Sequence, residues 1–160
     1  MAEEPMKANV DGSSVLIPTD ARRLLDWLRE DLGITTVKAG CEQGHCGACT
    51  VLVDGVPVLA CTTLAVTLSG ASVATAAEVS RQAVGARLVE AFAQSGAAQC
   101  GFCSPGMLCA AAAYVADPRR AESTREALAG NVCRCTGYMQ IVEAVEEVKA
   151  HGAPDRAPDV

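Results

Sequence analysis

The 160-residue sequence predicts an α+β chain: a β-rich first half carrying one helix, then a purely helical second half. Three observations predict it. Asp11-Gly12 and Asp54-Gly55 each form a two-residue turn signal between two short runs, and Asp54-Gly55 is the strongest short-range hairpin signal in the chain. Between Leu68 and Val79, "LSGASVATAAEV", alternation stops and small residues take over, which marks a domain junction. Beyond it, helical spacing and helix end signals recur four times.

Taken in order, Lys7 to Val10 and Ser13 to Ile17 form the first hairpin around Asp11-Gly12. Leu24, Leu25, Leu28 and Leu32 then share a helical face that Gly33 closes, with Trp27 in the core. Thr50 to Val53 and Val56 to Ala60 form the second hairpin. In the helical half, Val84, Leu88 and Phe92 lie at i, i+4 and i+8, and Gly96 ends that segment. A second helix starts at Ser104-Pro105, where serine caps and proline suits the first turn, and stops before Asp117-Pro118. A third begins at the capping box "STRE", Ser123 to Glu126, and ends at Gly130. A fourth runs from about Gly137 to Ala150 and buries Ile141, Val145 and Val148. Four short helices make a small bundle. The expected division is 1–77, 78–152 and a frayed polar tail, 153–160.

A chain of this length buries a core without covalent staples. The start, "MAEEPMKANV", lacks the basic and apolar regions of a secretory signal, and no window reaches membrane-spanning length, so a cytoplasmic protein is expected. Thirteen basic against nineteen acidic residues argue against nucleic acid as a partner. Nine cysteines in a reducing compartment point to metal or redox chemistry rather than to a disulfide framework.

Cys41, Cys46, Cys49 and Cys61 follow C-x4-C-x2-C with a distant fourth thiol. A two-residue turn at Asp54-Gly55 sets Val53 opposite Val56, Val51 opposite Val58 and Cys49 opposite Ala60, which brings Cys61 beside Cys49. The other three thiols sit on a glycine-rich loop, "GCEQGHCGAC", that lets backbone amides approach a buried ligand. This spacing is the plant-type 2Fe-2S pattern. Structural zinc, which favours paired C-x2-4-C knuckles, fits it poorly. Cys46 acting as a nucleophile with His45 as base lacks a third, orienting group; His45 reads as a solvated loop residue, as does His151 in the tail.

A second quartet, Cys100 and Cys103 in "QCGFCSPG" with Cys133 and Cys135 in "GNVCRCTGY", precedes two helix starts, whose positive ends suit thiolates and an anionic cluster. Zinc stays open for this quartet taken alone. Cys109, in "MLCAAAAYV", reads as a buried apolar cysteine.

Together, "GCEQGHCGACTVLVDG", "QCGFCSPGM" and "GNVCRCTGY" resemble the small iron-sulfur subunit of the molybdenum hydroxylases, the xanthine oxidase family, over roughly Lys7 to Val148. The resemblance implies a ferredoxin-like β-grasp domain followed by a four-helix bundle, each holding one 2Fe-2S cluster. It implies that Cys41, Cys46, Cys49 and Cys61 hold the cluster facing FAD on a medium subunit. Cys100, Cys103, Cys133 and Cys135 would hold the cluster nearest a molybdenum-pterin cofactor on a large subunit, with Gln99 and Cys135 close to the pterin. Single electrons would run from molybdenum to flavin within a heterotrimer or a dimer of heterotrimers. The junction "SVATAAEVSRQAVGARLVEAF" departs from the Thr-Ile-Glu-Gly-like run this family leads one to expect; the ligand positions are untouched. Two other functions compete. A free-standing ferredoxin-like carrier would need only the first quartet, and a zinc-stabilised interaction module would carry no iron.

Overall fold

The computed structural model describes residues 5–151, so the tail 153–160 lies outside the described residues. β1 (Lys7–Val10) and β2 (Ser13–Leu16) pair antiparallel, as do β3 (Thr50–Val53) and β4 (Val56–Leu59). Both turns have positive φ at each central residue: Asp11 at 48° and Gly12 at 84°, Asp54 at 48° and Gly55 at 76°. That geometry matches the twist of the flanking strands. The register also falls as the turn demands, with Val53 opposite Val56 and Val51 opposite Val58.

The two hairpins do not pair with each other. A short strand, β5 (Ser72–Ala74), lies between them in a five-stranded sheet of order β2-β1-β5-β3-β4, parallel to β1 and antiparallel to β3. The sequence marks this stretch only as a junction. Its strand is only three residues long, and the pairing comes from neighbours distant in sequence, so no local alternation announces it.

The first helix is also less regular than its leucine spacing suggests. α1 (Leu24–Asp26) widens into a π turn over Trp27–Asp31, where the Leu32 N–H donates to the Trp27 carbonyl at 3.1 Å. Leu24, Leu25, Trp27 and Leu28 are buried, but Leu32, rotated off the face by the wider turn, is only partly so. Gly33, at φ 68°, closes the segment.

Strand β3 divides the interior. Val51 packs with Leu24, Leu25, Trp27 and Leu28 on one face of the sheet, while its neighbour Leu52 joins Leu88, Phe92, Met107 and Leu108 on the other. Alternation along a strand sends successive side chains to opposite faces, and here both faces are covered. On the second face packs α4 (Ser104–Ala116), against which α3 (Ala83–Gln94), α6 (Met139–Ala150) and the one-turn helices α2 (Ala76–Val79) and α5 (Thr124–Ala127) pack in turn. α4 is central: every residue from Gly106 to Val115, Cys109 among them, is buried, as expected of a helix apolar all round.

Helix ends differ from the expected signals in two places. Ser104 makes no cap; Cys103 occupies the cap position of α4, while Pro105 does lie in the first turn. In α5 the Ser123 hydroxyl accepts from the Glu126 N–H at 3.2 Å, but the Glu126 carboxylate reaches back to the Glu122 N–H at 2.6 Å, one residue further than a standard box. The helix ends after one turn at Ala127, short of the expected Gly130. α2 straddles the expected 77/78 division, and Val79 belongs to the helical core. Among the described residues no helix is long and apolar enough to cross a membrane.

Candidate metal centre

The first quartet is built by a loop and a hairpin. Gly44 (φ 76°) and Gly47 (φ 70°) curl residues 41–47 so that the Cys41 sulfur accepts three backbone N–H groups, from Gln43 at 3.4 Å, His45 at 3.3 Å and Cys46 at 3.3 Å. These amides hold the Cys41 thiol down to about 6. Cys49 is fixed at the entry of β3 and Cys61 just beyond β4, where the Ala60 N–H donates to the Cys49 carbonyl at 3.2 Å. The hairpin therefore brings Cys61 into contact with Cys49, as the register implies, and burial pushes the Cys49 thiol up to about 11. The thiols stand in pairs, Cys41 with Cys46 and Cys49 with Cys61.

The second quartet repeats the pairing. The Cys135 and Cys100 sulfurs are 3.6 Å apart, and Cys103 contacts Cys133. Cys103 is pushed up to about 12 by burial and by Cys133, whereas Cys100 is lowered by the Phe102 N–H and by Cys135. The Thr136 hydroxyl and the Cys133 sulfur are hydrogen-bonded at 3.3 Å. The groups that meet these thiols thus belong to the loops ahead of α4 and α6 rather than to the helices' first turns. Cys100, Cys135 and Gln99 are exposed, and the Gln99 side-chain amide donates to the Cys135 carbonyl at 3.2 Å. His45 and His151 are exposed, and Cys109 is wholly buried, its thiol pushed up to about 12 by that burial.

The two loops meet. The Val132 N–H donates to the Cys46 carbonyl at 2.8 Å, and the buried Asn131 side chain donates to the Gly47 carbonyl at 2.8 Å. A cavity of about 210 Å³ lies at the junction, lined from one side by Gly40, Cys46 and Ala48 and from the other by Phe102, Cys103 and Cys133. Tyr138 closes the second loop: its hydroxyl donates to the Asn131 carbonyl at 3.1 Å and accepts from the Cys133 N–H at 2.8 Å. Asn131, Thr136 and Tyr138 all lie within "GNVCRCTGY", yet nothing in the spacing marks them. Spacing singles out ligands, not the polar residues that hold them.

This donor set fits binuclear iron-sulfur clusters. Among the described residues no three His, Cys, Asp or Glu side chains form a group able to hold a metal ion as placed. Paired thiols instead match a core in which four thiolates serve two irons, and the amides on Cys41 suit its negative charge.

The comparisons agree with this chemistry. Residues 20–89 match the family model of a 2Fe-2S iron-sulfur cluster binding domain, and residues 75–146 match that of a further 2Fe-2S binding domain. The nicotinate dehydrogenase small FeS subunit of Eubacterium barkeri is 44% identical over 141 residues, covering 86% of this chain and 89% of that subunit. The xanthine dehydrogenase iron-sulfur-binding subunit of Escherichia coli O157:H7 is 45% identical over 126 residues, covering 76% and 79%. The crystal structure of quinoline 2-oxidoreductase from Pseudomonas putida 86 contains a chain that superposes with a TM-score of 0.79 at 39% identity, covering 92% of this chain and 94% of that one. Fold and site thus define an iron-sulfur protein with two 2Fe-2S binding domains. The chain belongs to the small iron-sulfur subunits of the molybdenum hydroxylase, or xanthine oxidase, family. It is the iron-sulfur subunit of an oxidoreductase, a role that implies electron transfer within a heteromeric complex.

Proposed function

We propose that this chain passes single electrons from a molybdenum-pterin centre on a large subunit, through two 2Fe-2S clusters of its own, to FAD on a medium subunit. The observation that carries this reading is the bonded joint between two sets of paired thiols, the Val132 N–H on the Cys46 carbonyl. In it Cys41, Cys46, Cys49 and Cys61 hold the flavin-side cluster, within the domain 1–77. Cys100, Cys103, Cys133 and Cys135 hold the pterin-side cluster, within the domain 78–152, whose helices we read as the family's four-helix bundle.

The chain's own residues give each end its character. Exposure of Cys100, Cys135 and Gln99 supports a partner's cofactor approaching there, and the Gln99 bond to the Cys135 carbonyl holds that strand of the loop in place. Around Cys41 the backbone amides of Gln43, His45 and Cys46 stabilise negative charge at the sulfur. We place the protein in the cytoplasm, in a heterotrimer or a dimer of heterotrimers.

The test is iron and acid-labile sulfide content with low-temperature EPR after dithionite reduction. The reading expects about four irons per chain and two distinct signals. The variant Cys135→Ser should keep the first cluster's signal and block electron flow from substrate. Zinc in place of iron, or full substrate-to-flavin transfer in that variant, would overturn the assignment.

A further inference from the structure

We propose that Asn131 is a positioning residue that holds the first quartet's loop in register with the second and thereby sets the coupling between the clusters they carry. The inference rests on the reading above that both quartets are loaded.

Asn131 is 5% exposed and stands two residues before Cys133. Its side-chain amide has two N–H groups, and both are used across the joint: one to the Gly47 carbonyl at 2.8 Å, one to the Thr50 hydroxyl at 3.2 Å. The Thr50 hydroxyl in turn donates to the same Gly47 carbonyl at 2.7 Å. The Gly47–Ala48 peptide is therefore held by a side chain from the other quartet's loop. The main chain of Asn131 is tied the opposite way. Its N–H donates to the Leu128 carbonyl at 2.9 Å, and its carbonyl receives the Tyr138 hydroxyl, which also receives the Cys133 N–H. One residue thus grips both loops.

The joint has no slack. A Cβ at Gly47 would lie 2.3 Å from the Gly130 carbonyl oxygen and 2.6 Å from the Asn131 amide nitrogen, and one at Gly106 would lie 2.2 Å from the Gly47 oxygen. In so close a contact the direct bond from Val132 N–H to Cys46 carbonyl depends on how the Asn131 amide sets the Gly47 peptide. Aspartate has nearly the same shape but brings oxygens where both donors are needed, so it would turn attraction into repulsion at the Gly47 carbonyl. A residue serving stability alone would alter the folding midpoint and leave the relation between the clusters unchanged.

The experiment uses the assembled complex carrying Asn131→Asp, Asn131→Ala or Thr50→Val. Iron and sulfide content are measured first, then the low-temperature magnetic splitting between the two reduced clusters and hydrogen exchange at the Val132 N–H. Wild-type protein lacking about four irons would fail the functional reading rather than this one. With iron retained, the Asn131 variants should lose or shrink the splitting and exchange the Val132 N–H about tenfold faster, the factor for a lost bond of ordinary worth. Thr50→Val should move both readouts less, in the same direction. Unchanged splitting and unchanged exchange in the Asn131 variants would overturn the proposal. Should those variants not assemble, the same null result in Thr50→Val would overturn it.

Discussion

Asp11 and Thr75, 64 positions apart, are joined by two hydrogen bonds: the Thr75 N–H and hydroxyl each donate to the Asp11 carboxylate at 2.7 Å. The carboxylate comes from the tip of the first hairpin, and the Thr75 hydroxyl also caps α2 by accepting the Ala77 N–H at 3.2 Å. Thr75 is fully buried. It ties the sheet to the first turn of the helical half. Thr75→Val keeps the shape and removes the hydroxyl, so it should cost about 1–3 kcal/mol, with Thr75→Ser restoring most of it. Denaturant midpoints at unchanged slope would measure this; a shift below about 0.5 kcal/mol would show that the bond does not hold the junction.

Gly106 should break a general rule. Alanine for glycine inside a helix ordinarily gains about 0.5–1 kcal/mol. Here the new methyl would press on the Gly47 carbonyl oxygen at 2.2 Å, so Gly106→Ala should instead lose about 1–3 kcal/mol. Gly130→Ala, with no atom within 4 Å of its Cβ, should stay within about 0.5 kcal/mol of wild type. Equal midpoints for the two variants would refute the close approach of α4 to the first loop.

Tyr138→Phe removes one oxygen and keeps the ring. The Cys133 N–H and the Asn131 carbonyl both lose a partner, which should cost about 1 kcal/mol. The loss should be local. Amide exchange at Cys133 should speed up while that in β1 and β2 stays as it was, and uniform acceleration would argue for a global effect instead.

Cys109 supplies a pH prediction. Its folded-state value, pushed up to about 12 by burial, exceeds the ordinary thiol value of 9.0. Between those values the unfolded chain has released the proton and the folded chain retains it, so stability should fall as pH rises from about 9 toward 12. Cys109→Ala should flatten part of that decline. At neutral pH the native Cys109 thiol should resist iodoacetamide and react only as fast as the chain unfolds, followed by mass spectrometry of the modified peptide; rapid labelling of native protein would contradict its burial.

Local interactions made much of this protein legible in its sequence. Asp11-Gly12 and Asp54-Gly55 each require positive φ at both residues, so each dictates a two-residue hairpin, and the second sets a register that carries Cys61 to Cys49 with no further information. Leu88 and Phe92, and Ile141 and Val145, mark buried helix faces by spacing alone. The eight cysteines outside α4 stand out in the sequence by their spacing, and the structure pairs them at two loops. Tertiary structure decided the rest. β5 exists because β1 and β3 offer it unpaired edges from elsewhere in the sequence. Leu32 leaves its face because the helix widens at Trp27. Asn131 acquires its two acceptors only when the Gly47 loop, 84 positions earlier, is brought against it. Turn chemistry and periodicity act over a few residues and can be read locally, whereas a buried amide's partners are chosen by whichever surfaces the completed fold presses together.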